Sequence, residues 1–394
     1  MLNIALFYKY ISKNGLIFMS SILLITNIFP PTIGGPAIFI DRLAKNLTAE
    51  GHKVSVVCSG DVVPPKTYDQ DRKFKIYRVS LSNRYVYEIK IRIVLFWQIF
   101  RHRKILVNGL ESYVAPIAKM LGRQYILKIV GDGVWEQGRN WGIVTSNLES
   151  FQTEKTPNRL RGILSSRKKC LDFSKKIVVP GAWFKAILCG WGVPGDKILV
   201  IRNGVPLDVF EGHKPAERLG DIDVVFVGRL TNWKGVETVI LAMKQVTGAH
   251  LTIIGEGPEL PMLAGLVRQL DLDSAVSFIG KMDQSELHKR LKSAHALLLP
   301  SSYEGLSHTL LEAAAAGLAR IASDIPGNAE VIEHGVDGLL VPYADVGGWK
   351  DAIQRLVNDD TLRMRLALNA QDSAKKDSFS DSVRKYVELI AMEG

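Results

Sequence analysis

A strand end, a short polar turn and a helix start meet in the stretch Pro300-Ser-Ser-Tyr-Glu-Gly-Leu-Ser-His-Thr-Leu-Leu-Glu-Ala-Ala-Ala-Ala-Gly317. The apolar run from Ala294 to Leu299 predicts a buried strand, and the Ala-rich run from Thr309 to Ala316 predicts a helix. The N–H groups and the positive dipole end at the helix start, near Leu306 to Leu310, attract anions. The sequence therefore predicts a phosphate site at this turn.

Two carboxylates, Glu304 and Glu312, flank the turn. On one continuous helix their eight-residue step would place them about 80° apart, so they would share no face. Glu304 is therefore expected in the loop, where it reaches a ligand from the other side. Glu312 has a second interpretation, because Thr309-x-x-Glu312 has the spacing of a capping box. The ligand role and the capping role both stay open.

The length of 394 residues favours two domains, and a composition of 47% hydrophobic and 23% charged residues indicates a globular protein. The charge is uneven, with 31 basic and 14 acidic residues up to Phe210 against 19 and 26 beyond it. The basic half is expected to face a phosphorylated substrate or a membrane surface. Nucleic acid is disfavoured, because the sequence contains no zinc-ligand pattern or short basic recognition module.

The cysteines, Cys58, Cys170 and Cys189, lack paired spacing, so neither a metal site nor a disulfide framework is predicted. No run reaches the 18 or more apolar residues of a membrane span. A reducing, cytoplasmic location is therefore expected. Residues 1–18 resemble a signal peptide without a cleavage site, and we interpret them as an extension before a start at Met19.

From Ser21 onward, short apolar runs alternate with helical patterns, which predicts βαβ units and parallel sheets. After the first strand, Gly34 and Gly35 allow a close backbone approach to a ligand, although a plain tight turn explains them equally well. A polar segment from Glu211 to Asp221 predicts the domain junction. Just beyond the next strand, Arg229 and Lys234 are placed to clamp a diphosphate.

Two segments of the first half allow more than one interpretation. Asp132 follows a strand end, where it is either a ligand contact or a helix N-cap. The stretch from Arg84 to Lys104 predicts an aromatic-rich helix with basic ends, for which a core position is favoured over a membrane interface. The polar segment from Arg139 to Asn158 is predicted to be an irregular loop.

Together these residues resemble the retaining glycosyltransferases of family 4, the group 1 type, over Ser21 to Ile390. The resemblance rests on motifs in a fixed order, which include Gly34-Gly35, Asn203-Gly-Val205, Val227-Gly-Arg-Leu230 and the Glu304/Glu312 stretch. It implies an α/β fold of the GT-B type, with two facing Rossmann-like domains and a cleft between them. The implied limits are 1–208 for the acceptor domain, 209–376 for the nucleotide-sugar domain, and 377–394 for a helix that crosses back.

The resemblance also implies roles for the matching positions. Arg229 and Lys234 contact the donor diphosphate, Glu304 positions the sugar, and Glu312 binds the ribose hydroxyls. Asp132 stands near the place of a family histidine, so it either orients the sugar or marks lost activity; with Arg229, Lys234 and Glu304 it completes the catalytic set. The remaining implied donor-site residues are Gly34, Gly35, Gly280, Met282, Gly305, Leu306, Ser307, His308 and Thr309.

The implied reaction is a hexosyl transfer from a nucleotide-diphosphate sugar, with retention and with no metal or other cofactor. Its acceptor would be a glycan or a lipid-linked molecule in bacterial surface-polysaccharide synthesis, with the basic half at the inner face of the membrane. Two other functions fit the same fold: a nucleotide-sugar epimerase, and a non-catalytic glycan- or lipid-binding protein. A dehydrogenase is disfavoured, because the full glycine fingerprint is missing.

Overall fold

The computed structural model describes residues 21–32, 34–60, 64, 66–214 and 221–393. The predicted extension at residues 1–18 lies outside this range. The described chain groups into two compact units. The first runs to Ile129 and includes Gly162–Val178 and the residues from Lys385; the second comprises Val130–Arg161 and Val179–Arg384. The predicted domain limits at 208 and 376 stay predictions.

Within the described residues strands alternate with helices along the chain, as predicted. The strands are β1 Ser21–Thr26, β2 Lys53–Gly60, β3 Lys75–Ser80, β4 Lys104–Asn108, β5 Tyr125–Lys128, β6 Ser174–Val179, β7 Ile198–Val200, β8 Ile222–Val227, β9 Ala249–Ile254, β10 Val276–Gly280, β11 Ala296–Leu299, β12 Ala319–Ser323 and β13 Leu339–Val341.

The helices alternate with these strands. They are α1 Gly35–Ala49, α2 Arg84–Arg101, α3 Glu111–Met120, α4 Gly133–Asn140, α5 Leu148–Thr153, α6 Arg161–Phe173, α7 Ala182–Gly190, α8 Leu207–Phe210, α9 Val236–Met243, α10 Leu260–Gln269, α11 Gln284–Ser293, α12 His308–Ala315, α13 Pro326–Ala329, α14 Val346–Asn358, α15 Asp360–Ala374 and α16 Phe379–Glu393. Short 3-10 turns lie at Lys66–Asp69, Asn158–Leu160, Gly195–Lys197, Asn232–Lys234 and Lys375–Asp377.

The strands form two sheets, and the predicted α/β class is confirmed. The first sheet has the order β3-β2-β1-β4-β5-β6-β7, and the second has the order β10-β9-β8-β11-β12-β13. Every pairing in the second sheet is parallel, as are the pairings from β1 to β6 in the first. Helical crossovers explain this, because parallel neighbours need a long connection between them.

The central strands are apolar without alternation, since helices cover both faces of each sheet. In β1 the side chains from Ile22 to Ile25 are all buried, and in β11 those from Ala296 to Leu299 are buried too. Helix α1 begins with Pro36 in its first turn, where the missing N–H costs no hydrogen bond. None of the helices in the described part combines the length and the apolar content needed to cross a bilayer.

Two local predictions are wrong. The segment from Arg139 to Asn158 is not irregular throughout, because it contains the end of α4 and all of α5. The stretch that begins at Arg84 does form a helix, but it is not a core helix with only its ends in solvent. One face of α2 is buried and the opposite face exposes large apolar side chains.

Candidate functional site

Two loops meet in the second unit at the carboxyl ends of β8 and β11, which are parallel neighbours. Open parallel sheets bind their ligands at such strand ends. The Ser302 N–H donates to the Trp233 carbonyl at 2.8 Å and fixes one loop on the other. Gly235 has a φ of +63°, and a Cβ there would lie 2.2 Å from the Pro300 carbonyl oxygen. Only glycine allows this close approach of the two loops.

The charged centre of the site is the ion pair between Lys234 and Glu304. Lys234 Nζ donates to Glu304 Oε1 at 2.6 Å, and both side chains are largely buried. Arg229, on the same loop as Lys234, is exposed. The structure therefore brings the predicted loop carboxylate and one predicted phosphate-binding cation into direct contact, with the second cation on the adjoining loop surface.

The start of helix α12 lies directly after Glu304 and Gly305. Ser307 is its N-cap, and the buried Ser307 Oγ accepts a hydrogen bond from the Leu310 N–H at 3.3 Å. Thr309 lies inside the first helical turn, so the capping box of Thr309 with Glu312 is wrong. A serine two residues earlier already accepts the hydrogen bond at the helix start. The first-turn N–H groups form the positive end of the helix dipole, so the predicted anion site would lie at this end.

Glu312 lies in the second turn of α12 and contacts helix α11. Its Oε1 accepts a hydrogen bond from Gln284 Nε2 at 3.0 Å, and His288 Nε2 lies 3.8 Å away. The loop from Gly280 to Met282 leads into α11, and Gly280 has a φ of +78°. Glu312 therefore lies close to the start of the helix that follows the loop with the implied donor-site residues Gly280 and Met282.

Asp132 caps helix α4. Its fully buried carboxylate accepts hydrogen bonds from the N–H groups of Val134 and Trp135 at 2.9 and 3.3 Å, and Gln152 Nε2 lies 3.4 Å from its second oxygen. Its own N–H donates to the Tyr303 hydroxyl at 3.2 Å. Of the two roles left open, the structure gives Asp132 the helix N-cap. A role in orienting a sugar stays a prediction.

Glu136, one turn further along α4, is a second acid beside the ion pair. Burial raises the pKa of its carboxyl, and the nearby carboxylates of Asp132 and Glu304 raise it too, while Lys234 lowers it. A Cβ on Gly131 would lie 2.5 Å from Glu136 Oε1 and 2.9 Å from the Tyr303 hydroxyl. The Glu136 carboxyl therefore lies near the hydroxyl of Tyr303, the residue that precedes Glu304 of the ion pair.

Three aromatic residues that directly precede the charged residues Glu136, Lys234 and Glu304 in the sequence pack against one another. The ring of Trp135 lies 5.0 Å from Tyr303 and 6.0 Å from Trp233 between centroids, and Trp183 lies 6.1 Å from Tyr303. Burial, with the carboxylates of Glu136 and Asp132, raises the pKa of the Tyr303 hydroxyl. This wall lowers the local dielectric, which strengthens the electrostatic interactions of Lys234 with its neighbours.

The predicted residues fall in two places. The second unit contains Arg229, Lys234, Glu304 to Thr309, Glu312 and the loop from Gly280 to Met282. Gly34 and Gly35 lie in the first unit, where Gly34 precedes helix α1, and their predicted ligand role stays a prediction. Among the described residues no group of three or more His, Cys, Asp or Glu side chains has metal-binding geometry. The absence of a metal from the reaction stays a prediction.

Comparison with known proteins shows which family the segment with these site residues matches. Residues 211–373 match the family model described as glycosyl transferases group 1, and this segment includes Arg229, Lys234, Glu304 and Glu312. Residues 211–373 therefore belong to the group 1 glycosyltransferase family. An uncharacterized glycosyltransferase of Methanocaldococcus jannaschii is similar over nearly the whole chain, with 28% identity over 94% of this chain and 98% of the relative.

Two further proteins are similar to this chain. The amylovoran biosynthesis glycosyltransferase of Erwinia amylovora is 33% identical over 43% of this chain and 44% of its own length. The Anabaena protein HepE, solved in complex with UDP and glucose, has a TM-score of 0.76 at 16% identity and covers 95% of this chain and 100% of its own. That structural likeness shows the GT-B fold.

The sequence alone did not single out three site residues of this glycosyltransferase. Glu136 follows Asp132 by one helical turn, and an acid in the first turn of a helix after a strand end was the available signal. Tyr303 was part of the quoted stretch but had no assigned role. Gln284 gave no signal, because only the packing of α11 against α12 brings its amide to Glu312.

Proposed function

We propose that this glycosyltransferase moves a hexosyl group from a nucleoside-diphosphate sugar to a hydroxyl of a glycan or lipid-linked acceptor, with retention and without a metal. The observation that supports this best is the Lys234–Glu304 ion pair beside the start of helix α12. It places a cation, a carboxylate and the anion-binding end of a helix at one loop crossing. A sugar bound through a diphosphate needs these three partners.

Cleavage of the donor breaks the bond between the sugar C1 and the phosphate oxygen, and the electron pair leaves with the diphosphate. Positive charge grows on the sugar ring while negative charge grows on the leaving oxygen. Arg229, Lys234 and the first-turn N–H groups of α12 would stabilise that leaving group through fixed positive charge. Without donor, Lys234 binds Glu304; with donor, the diphosphate would compete for Lys234 and release Glu304 toward the sugar.

The acceptor hydroxyl then forms the new bond to C1 on the face that the diphosphate leaves. A leaving phosphate oxygen takes the hydroxyl proton, so the products are the retained glycoside and a nucleoside diphosphate. Glu304 would hold sugar hydroxyls and Glu312 the ribose hydroxyls. The loop from Gly280 to Met282 would carry the nucleobase. No protein nucleophile is required in this sequence of steps.

Bacterial surface-polysaccharide synthesis is the proposed setting. Support comes from the name of the amylovoran relative and from the basic first half of the chain. We propose a cytoplasmic protein, with peripheral contact at the inner face of the membrane where its acceptor is lipid-linked. The UDP and glucose found with the Anabaena protein make UDP-sugars the first donors to test.

The test begins with thermal unfolding of the full chain in the presence of UDP-, GDP- and ADP-sugars. A ligand at 100 times its dissociation constant stabilises the folded state by about 2.7 kcal/mol. The stabilising donor is then incubated with candidate acceptors, with and without EDTA, and NMR determines the anomeric configuration of the product. Retention with EDTA present is the expected result.

Other outcomes would contradict the proposal in distinct ways. Conversion of the donor sugar without an acceptor would indicate an epimerase. Donor binding with no release of nucleoside diphosphate under any pairing would indicate a binding protein. An inverted anomer would overturn retention, and loss of turnover in EDTA that returns with a divalent cation would overturn metal independence.

A further inference from the structure

Helix α2, in the first unit, exposes a row of large apolar side chains. Its inner face buries Tyr87, Ile91, Leu95 and Ile99 against the unit's core. Its opposite face, which we call the outer stripe, consists of five side chains that are at least half exposed. They are Tyr85, Ile89, Ile93, Trp97 and Phe100, with exposed fractions of 83, 63, 53, 50 and 55%.

The outer stripe is continuous rather than scattered. At about 100° per residue its members lie within about 120° of one another around the helix, and their centre is opposite the buried face. From Tyr85 to Phe100 the stripe is roughly 22 Å long at about 1.5 Å per residue. Single exposed apolar side chains are ordinary, but a contiguous row of this length marks an interaction surface.

Cations border the outer stripe. Lys90 and Arg101 are exposed along one edge and Arg92 along the other. Glu88, the acid of this helix, accepts a hydrogen bond from the Tyr113 hydroxyl at 2.8 Å and forms an ion pair with Arg92. Apart from that compensated carboxylate, the apolar face has a positive rim.

The positive rim continues beyond the end of α2. A groove of about 880 Å³ lies there, with Arg101 of the helix at its edge. Its cations also include Lys53, Lys73 and Lys75, and none of the described residues that line it is an acid. A concave basic surface therefore adjoins the aromatic end of the outer stripe at Trp97 and Phe100.

We infer that the outer stripe docks on the surface of a bilayer that contains anionic phospholipids. The aromatic and aliphatic side chains enter the boundary between head groups and acyl chains, as amphipathic interfacial helices do. Lys90, Arg101 and the groove lysines meet lipid phosphates. A second copy of this chain fits less well, because the same positive rims would face each other. The inference rests on the first unit alone and does not depend on the transfer reaction.

Vesicle co-sedimentation of the full chain tests the inference. The probes are vesicles of phosphatidylcholine alone and of phosphatidylcholine with 30 mol% phosphatidylglycerol, a composition chosen for the test. We expect binding to the anionic vesicles only, weakened by salt. Trp97→Ser with Phe100→Ser, and separately Lys90→Glu with Arg101→Glu, should each reduce the partition coefficient about tenfold or more.

Matched control variants test whether vesicle binding depends on the outer stripe itself or only on the net charge and the exposed apolar side chains of the chain. Lys244→Glu with Arg268→Glu makes the same charge change at exposed sites of the second unit, and Met262→Ser with Leu368→Ser removes exposed apolar side chains there. Both control variants should bind vesicles within about twofold of the unmodified chain, since they leave the stripe intact. Lipids brominated in their acyl chains should quench fluorescence of the unmodified chain more than that of Trp97→Phe.

Three results would overturn the inference. The first is no binding to anionic vesicles, and the second is equal loss of binding in the stripe and control variants. The third is a lipid-free dimer, seen by sedimentation velocity, that Trp97→Ser with Phe100→Ser converts to a monomer, because the stripe would then be a contact between copies of the chain. Thermal unfolding of each variant near that of the unmodified chain confirms that these surface changes leave the fold intact.

Discussion

Single side chains in this protein differ in how their charge is balanced. Lys234 has a carboxylate partner in Glu304, so its charge is compensated while the site is without donor. Glu136 lies beside that pair in a buried setting that disfavours its ionised form. Lys128, in the first unit, is buried against the rings of Phe39 and Tyr386. Each setting leads to a measurable expectation.

Arg229 and Lys234 are expected to stabilise the leaving diphosphate. Replacing either by Ala should reduce kcat/KM by about 10²-fold to 10³-fold, the typical loss when one preorganised donor to a developing anion is removed. Steady-state kinetics with the donor found by the thermal screen measures this. Lys244→Ala, at an exposed position after α9, is the control and should keep its rate. Unchanged turnover in both site variants would contradict the assignment.

The carboxyl of Glu136 should make stability depend on pH. Its pKa is raised in the fold, so its neutral form is favoured there, and stability is lost as the pH rises from about 4.5, the value of the unfolded chain, through the folded pKa. Glu136→Gln removes this loss. The melting temperature of the variant should therefore exceed that of the unmodified chain at pH 8 by more than it does at pH 4.

Melting curves from pH 4 to pH 9 measure the effect. Glu149→Gln, at an exposed position of α5, is the matched control and should show no such divergence. A constant difference between Glu136→Gln and the unmodified chain across this range would show that Glu136 is charged and compensated in the fold.

Lys128 should lower stability at neutral pH. Burial lowers the pKa of its ammonium group from 10.5 to about 7, which corresponds to no more than about 5 kcal/mol of unfavourable burial. Because the folded pKa is the lower one, the full cost is present below pH 7 and is relieved as the pH rises from 7 to 10.5. Lys128→Met should therefore raise the unfolding free energy at pH 7.

Urea unfolding at pH 7 and pH 10 measures the size of this gain, which should shrink at the higher pH. Lys119→Met, at an exposed position of α3, is the control and should be close to neutral at both values. If the gain in unfolding free energy for Lys128→Met grew as the pH rises, its pH dependence would be opposite to the expected one.

Among the secondary-structure elements, two features determine the geometry of the site. They are the start of α12 and the crossing of the loops that follow β8 and β11. The Ser307 cap fixes where the helix begins, and therefore which face carries Glu312 toward Gln284. The loop after β8 lies close to the loop after β11 because Gly235 has no side chain. Helix start and loop crossing together hold Lys234 against Glu304.

Because Ser307 is the N-cap, we expect different stability losses when Ser307 and the nearby Thr309 are replaced by Ala. Ser307→Ala should lower the unfolding free energy by about 1 kcal/mol, because the Leu310 N–H loses its acceptor at a buried helix start. Thr309→Ala, inside the first turn, should cost less than about 0.5 kcal/mol. Urea denaturation of both variants compares them directly. A larger loss for Thr309→Ala would restore the capping box with Glu312.

At the scale of the whole molecule, the two units carry different features. The second unit contains the ion pair, the capped helix and the Glu312 contacts, with Asp132 and Glu136 at its start. The first unit contains Gly34, Gly35 and the outer stripe of α2. Donor chemistry and membrane contact are therefore proposed on separate compact units, which can be probed one at a time.

Hydrogen exchange of the full chain tests this division. The nucleoside diphosphate of the active donor should slow exchange of backbone amides in the loop from Gly228 to Gly235 and in the first turn of α12, because a bound ligand shifts local opening toward the closed state. Amides of α2 should exchange at an unchanged rate. Mass spectrometry of peptic fragments, with inorganic phosphate as the control ligand, measures both. Slowing confined to α2 would contradict the assigned site.

Much of this protein follows from local pattern. Apolar runs such as Ala296 to Leu299, alternating with helical segments, predicted the parallel sheets, because a buried strand and a helix need different periodicities. The same pattern predicted that Arg229, Lys234 and Glu304 follow strand ends. It also predicted that a helix starts after the turn that contains Glu304, but the capping box of Thr309 with Glu312, one of the two roles left open, is wrong because Ser307 is the N-cap. Several hydroxyl residues near a helix start can each act as the N-cap, and their spacing in the sequence does not show which one does.

Contacts between distant segments were decided by the tertiary structure alone. Lys234 and Glu304 are 70 residues apart in the chain, and Glu312 meets Gln284 only because two helices pack together. The sequence of α2 contains apolar side chains on two opposite faces of the helix. Which of them is buried depends on what packs against the helix, because burial is a property of neighbours in space and periodicity is a property of neighbours in the chain.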